Sequence, residues 1–124
     1  MTEPKRILIV DDEVGFTEMV KLNLEDTGRF LVRIENDSTR AFETALGYRP
    51  ELILLDIIMP EMEGPDVLCQ LRENEQTAQI PIIFLTATVR KSEVNQEDGF
   101  ISGYPFLAKP CTVEELIQAI DQNI

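Results

Sequence analysis

Three short, unbroken apolar runs constrain this chain more than any other feature: Ile7-Leu8-Ile9-Val10, Leu52-Ile53-Leu54-Leu55 and Ile82-Ile83-Phe84-Leu85. Each is one strand long. Apolarity at every position, rather than at alternate ones, means that both faces are covered, which predicts central strands of a parallel sheet flanked by helices. The run Phe30-Leu31-Val32-Arg33-Ile34-Glu35 carries charges and suits an edge strand. Residues 106–108 form the last short strand.

The stretches between these runs read as helices with legible ends. Phe16, Met19, Val20 and Leu24 recur at helical spacing, and Gly28 stands where a helix end favours a left-handed residue. Asp37 or Ser38 can cap a second helix, with Ala41, Phe42, Ala45 and Leu46 on one face and a stop at Gly47. Gly64-Pro65 opens a third, with Val67, Leu68 and Leu71 facing inward. Thr112-Val113-Glu114-Glu115 is a capping box, followed by an apolar stripe of Leu116, Ile117, Ile120 and Ile124. Residues 89–104 break the pattern and predict a short or irregular segment, because Asn95, Asp98, Gly99 and Gly103 disfavour a long helix. The alternation of strand and helix predicts a doubly wound α/β sheet with right-handed crossovers and helices on both faces.

Composition narrows the chemistry. The 124 residues fit one domain and include no histidine. Imidazole-dependent sites, such as nucleophile pairs and His-ligated zinc, are therefore excluded. With 11 basic against 23 acidic residues, the net charge of −12 opposes direct binding of nucleic acid or of an anionic membrane. Cys69 and Cys111 lack metal-ligand spacing and read as reduced thiols. No apolar run approaches signal-peptide or membrane-spanning length, so a cytoplasmic location is expected.

Acids stand at the ends of two strands: Asp11 and Asp12 after the run Ile7–Val10, Asp56 after the run Leu52–Leu55, the third strand. Open α/β sheets bind ligands outside the carboxyl ends of their strands, at the switch point. If the strand order is 2-1-3-4-5, the three carboxylates converge there. Like charges about 5 Å apart repel by roughly 3 kcal/mol at an effective dielectric near 20, and a cation is the natural remedy. An all-oxygen set of this kind suits Mg²⁺. Thr86 and Lys109 close the other strand ends with a hydroxyl and an ammonium, completing a phosphoryl-group site with Asp56 as nucleophile.

Asp11-Asp12, the string Asp56-Ile57-Ile58-Met59-Pro60-Glu61-Met62-Glu63-Gly64, Thr86-Ala87 and Lys109-Pro110, in this order, resemble the receiver domain of bacterial two-component response regulators. The resemblance spans nearly the whole chain, as one domain over residues 1–124. It implies a flavodoxin-like sheet of five parallel strands in the order 2-1-3-4-5. It also implies that Asp56 takes a phosphoryl group from a phosphohistidine on a histidine kinase or phosphotransfer protein. Mg²⁺ would be held by Asp11, Asp12, Asp56 and the backbone carbonyl of Ile58. Lys109 would pair with a phosphoryl oxygen, and Thr86 would move to bond another. Phe106 would be the switch aromatic, with Tyr104 near enough to compete, and Pro110 would follow a cis peptide bond. A downstream protein or output domain would read the change. Such a domain is not an enzyme beyond its own phosphorylation and dephosphorylation. Ile58 and Thr88 flank the path of the hydrolytic water in that family, and a bulky Ile58 is expected to slow phosphoryl loss.

Three other readings compete. A flavin-binding protein of the same architecture would need a Gly- or Ser/Thr-rich first loop, where this chain has Asp11-Asp12-Glu13. A Mg²⁺-dependent aspartyl phosphatase would carry its nucleophile in a D-x-D motif after the first strand. A receiver that only docks, without phosphorylation, would not need the complete acceptor set.

Overall fold

The computed structural model describes residues 3–87, 100, 101 and 103–124. The chain runs β1 (Lys5–Val10), α1 (Val14–Asp26), β2 (Phe30–Glu35), a 3₁₀ turn (Ser38–Arg40), α2 (Ala41–Tyr48), β3 (Leu52–Asp56), α3 (Gly64–Arg72), β4 (Ile82–Thr86), β5 (Phe100–Ile101), β6 (Tyr104–Ala108) and α4 (Val113–Asn123). The sheet order is β2-β1-β3-β4-β6-β5. Its first five strands are parallel, and they match the expected 2-1-3-4-5 arrangement with β6 as the fifth. The sheet has one strand more than expected: Phe100–Ile101 pairs antiparallel with Tyr104 and Pro105. Most of the irregular segment anticipated at 89–104 lies outside the described residues, as does Thr88.

Side-chain parity divides the core. Successive strand residues point to opposite faces, so Ile7, Ile9, Leu52, Leu54, Ile83 and Leu85 pack with α1 and α4 through Val20, Leu24, Leu116 and Ile120. Leu8, Val10, Ile53, Leu55, Ile82 and Phe84 pack with α2 and α3 through Ala41, Ala45, Val67 and Leu71. Burial on both sides is why the runs 7–10 of β1, 52–55 of β3 and 82–85 of β4 are apolar at every position. At the edge, β2 leaves Leu31 and Arg33 exposed, and Glu25 and Lys21 of α1 bind the N–H and C=O of Val32 at 2.9 and 2.7 Å. That clasp occupies backbone groups a foreign strand could otherwise use.

Several helix details differ from the sequence expectation. Met19 and Leu22 face solvent, Leu22 with 71% of its surface exposed. About one buried position per turn, Thr17, Val20 and Leu24, already fills the space over the sheet. Ile124 lies beyond α4 and is exposed. The second helix does not stop at Gly47: it continues to Tyr48, and Arg49 adopts the left-handed conformation with φ 54°. The Arg49 carbonyl accepts two hydrogen bonds from the Arg6 guanidinium, at 3.0 and 2.7 Å, which hold that turn against β1. Neither Asp37 nor Ser38 caps α2, whose N-cap is Arg40; Asp37 caps the preceding 3₁₀ turn instead, accepting from the Thr39 N–H at 3.0 Å. Ser38 is buried and donates to the Pro60 carbonyl at 3.2 Å. The Thr112 box forms in both directions, at 3.1 and 2.9 Å.

Candidate functional site: an acidic pocket at the sheet's carboxyl edge

Parallel β1 and β3 bring the ends of two distant segments side by side, with Val10 paired to Leu55. Asp11 and Asp56 are buried at that edge, and Asp12 is exposed on the rim. One carboxylate oxygen from each lies within 4.8 Å of the others. The three acids predicted from sequence are thus brought together.

Lys109 closes the pocket from the end of β6, where its N–H donates to the Thr86 carbonyl at 2.7 Å. Only 7% of its side chain is exposed, and Nζ donates to Asp11 Oδ2 at 2.7 Å and Glu13 Oε1 at 2.8 Å. Asp56 Oδ2 is farther, at 3.8 Å. The ammonium also sits 4.6 Å from the centre of the Phe16 ring. The Lys109–Pro110 peptide bond is cis. Thr86, the last residue of β4, is buried one step beyond the Asp56–Leu85 pair.

The electrostatics follow from this crowding. Burial, and then the charge of Asp11, push the Asp56 carboxyl up from 3.8 to about 7; Asp12 adds to the rise, while Lys109 and a hydrogen bond from the Ile58 N–H oppose it. Burial alone would lower Lys109, but its hydrogen bonds to Asp11 and Glu13, with the charges of Asp11 and Asp56, hold it above the ordinary lysine value. One ammonium does not neutralise three neighbouring carboxylates. The donor set is all oxygen and in excess of negative charge, so it fits a hard divalent cation.

The surrounding loops carry residues that sequence reasoning missed. Asn36 Nδ2 donates to the Asp11 carbonyl at 2.8 Å and to Thr17 Oγ1 at 3.0 Å, bracing the β1–α1 turn. Nothing in a lone Asn after an edge strand signals this. Glu13 was legible only as one more acid in the first loop. Gly64 meets the backbone of Asp56 and Ile57, which explains a glycine at the end of that string. Met59 of the same string is buried in the α2–α3 side of the core, whereas Ile58 is 65% exposed.

Phe106 and Tyr104 are both half-buried against that side of the core. Tyr104 is anchored: its ring meets Phe84 edge-on at 5.8 Å, and Arg72 lies 5.6 Å over it and donates to its hydroxyl at 3.3 Å.

The model of the response regulator receiver domain matches residues 7–121. The chain belongs to that family. This receiver domain is 38% identical to response regulator Rre1 of Synechocystis sp., over all of this chain and 53% of that protein. It is 37% identical to the DNA-binding dual master transcriptional regulator RpaA of the same organism, over 93% of this chain and 47% of the relative. The transcriptional regulatory protein SrrA of Staphylococcus aureus is 38% identical, over 90% and 44%. The receiver domain therefore spans about half the length of these curated relatives. Among solved structures, chemotaxis protein CheY4 of Vibrio cholerae superposes with a TM-score of 0.84 at 27% identity, covering 98% of this chain and 99% of that one. A response regulator from Desulfuromonas acetoxidans gives 0.82 at 28% identity, covering 95% and 94%.

Membership decides the competition among readings in favour of a two-component receiver over a flavin protein or an aspartyl phosphatase. The matching family is that of response regulator receiver domains, and the match indicates no family of catalytic enzymes. Among the described residues, no helix is long and apolar enough to cross a membrane.

Proposed function

We propose that this receiver domain, one unit over residues 1–124, accepts a phosphoryl group onto Asp56 from a phosphohistidine of a cytoplasmic histidine kinase or phosphotransfer protein. A carboxylate oxygen of Asp56 attacks phosphorus, the bond from phosphorus to the imidazole nitrogen breaks, and that nitrogen keeps the electron pair. The product is an aspartyl phosphate. Asp11, Asp12, Asp56 and the Ile58 carbonyl are the residues that would hold Mg²⁺, which supplies neutralisation of charge on the transferring group. Lys109 offers a full positive charge to a phosphoryl oxygen without giving up a proton, and the Thr86 hydroxyl offers a hydrogen bond to another. Phe106 then turns inward as Thr86 moves, and the altered surface is read by a downstream protein or output domain. Its chemistry is confined to its own phosphorylation and dephosphorylation.

The observation that carries this reading is the convergence of Asp11, Asp12 and Asp56 within 4.8 Å, beside the nearly buried Lys109 ammonium. Treatment with acetyl phosphate and Mg²⁺, followed by mass spectrometry, tests it. Wild type is expected to gain one phosphoryl group and Asp56→Ala none. No gain in wild type would favour a receiver that docks without being phosphorylated.

A further inference from the structure

Glu13 is an acid of the pocket to which phosphoryl transfer assigns no part. It precedes α1 at the position where Ser, Thr, Asp or Asn side chains ordinarily accept a hydrogen bond from the first helical turn. Among the described residues, its carboxylate makes no such cap. It reaches across the pocket to Lys109 instead, while its own N–H donates to Asp11 Oδ1 at 2.9 Å. One residue thus ties Asp11 by its main chain and Lys109 by its side chain.

The ammonium has three N–H bonds. Two are spent on Asp11 and Glu13, at 2.7 and 2.8 Å, and Asp56 is left at 3.8 Å, beyond hydrogen-bond reach. The two partners differ in strength. Asp11 is fully buried, so giving up Lys109 would leave a charge stranded in the protein. The Glu13 side chain is 60% exposed, and water replaces the ammonium at little cost. Glu13 is therefore the contact that yields.

We propose that Glu13 is a positioning residue that parks Lys109 away from Asp56 in the unmodified domain and releases it when Asp56 carries a phosphoryl group. This rests on the phosphoacceptor reading above. The exchange is of ion pairs only: Lys109 keeps its three protons, and one N–H passes from Glu13 to a phosphoryl oxygen. Because the Glu13 pair holds Nζ 3.8 Å from Asp56 Oδ2, it biases the domain toward its unmodified state and sets how readily it is charged.

The test is the affinity for beryllofluoride, a non-covalent phosphoryl mimic, measured by calorimetry with saturating Mg²⁺. Glu13→Gln is expected to bind about threefold more tightly, the scale of one exposed ion pair. Glu13→Ser, which also restores a helix cap, is expected to do the same. Glu61→Gln is the control for a general loss of negative charge, because Glu61 lines the cleft beside Asp12. Its affinity should equal that of wild type. Unchanged affinity in both Glu13 variants, or an equal gain in Glu61→Gln, overturns the proposal. If wild type binds beryllofluoride and the Glu13 variants match it, the parking role alone fails. If wild type binds none, the phosphoacceptor reading fails and takes the proposal with it.

Discussion

Gly64 lies directly against the main-chain carbonyl of Asp56: a Cβ at position 64 would strike that oxygen and stand 3.0 Å from the α-carbon of Ile57. The contact is held by a hydrogen bond from the Gly64 N–H to the Ile57 carbonyl at 2.8 Å. The start of α3 is thereby pressed onto the turn that follows Asp56.

Gly64→Ala should consequently displace that turn. Backbone is the obstacle, so relief requires α3 or the Asp56 turn to shift, at a cost of about 1–3 kcal/mol. Urea unfolding should show a lower midpoint with an unchanged slope. Mg²⁺ affinity should fall in the same variant, since Asp56 and the Ile58 carbonyl move together.

The raised Asp56 carboxyl makes stability depend on pH. Its folded value of about 7 lies above the unfolded value near 3.8, so the folded state keeps a proton that the unfolded state releases. Stability without metal should accordingly fall as pH rises from about 4 to 7, and then level off. Asp56→Asn carries no such penalty. At pH 8 without divalent cation it should be more stable than wild type by about 1–2 kcal/mol, a figure reduced from the full shift because the pocket opens to water. At pH 4 the difference should vanish, and equal stability of the two proteins at pH 8 would contradict the assignment.

Metal binding should be coupled to the same proton. Below pH 7 the cation must displace it, so Mg²⁺ affinity is expected to weaken about tenfold for each pH unit of acidification. At a concentration one hundred times its dissociation constant, Mg²⁺ should stabilise the domain by about 2.7 kcal/mol, and chelation should abolish the gain. Asp11→Asn or Asp12→Asn should weaken binding by about tenfold or more. Thermal unfolding across a Mg²⁺ titration at pH 6 and pH 8 measures all three.

Ile58 stands 65% exposed, two residues after the buried Asp56; on the proposed function it is the apolar side chain that water would pass to reach an aspartyl phosphate. Ile58→Asn should speed phosphate loss several-fold while changing stability by less than about 0.5 kcal/mol, because little apolar burial is lost. Release of phosphate from the phosphorylated domain, followed over time after the donor is removed, is the measurement. An unchanged rate would exclude Ile58 as a barrier.

The local readings succeeded where neighbours in sequence decide the outcome. Continuous apolar runs became two-sided strands, the Thr112–Glu115 box closed as written, and Asp11, Asp12, Asp56 and Lys109 stood at strand ends because their spacing from those runs is short. The capping and turn details were less legible. Arg49 rather than Gly47 ends α2 because Arg6, 43 residues away, binds its carbonyl.

The sequence by itself determined the alternation of elements, the two-faced core and the inventory of charged groups at the carboxyl edge, since hydrophobic period and strand length are local properties. Only the tertiary structure decided which of those charges meet. Lys109 finds Asp11 and Glu13 across 98 and 96 residues, and Gly64 finds the Asp56 carbonyl across a tight turn. The Lys109 contacts depend on strand order, which no local pattern encodes, and the Gly64 contact on the path of the β3–α3 connection. The same tertiary placement buries Asp56 beside Asp11, which raises its carboxyl, and sets Asp11 and Glu13 within hydrogen-bond reach of the Lys109 ammonium.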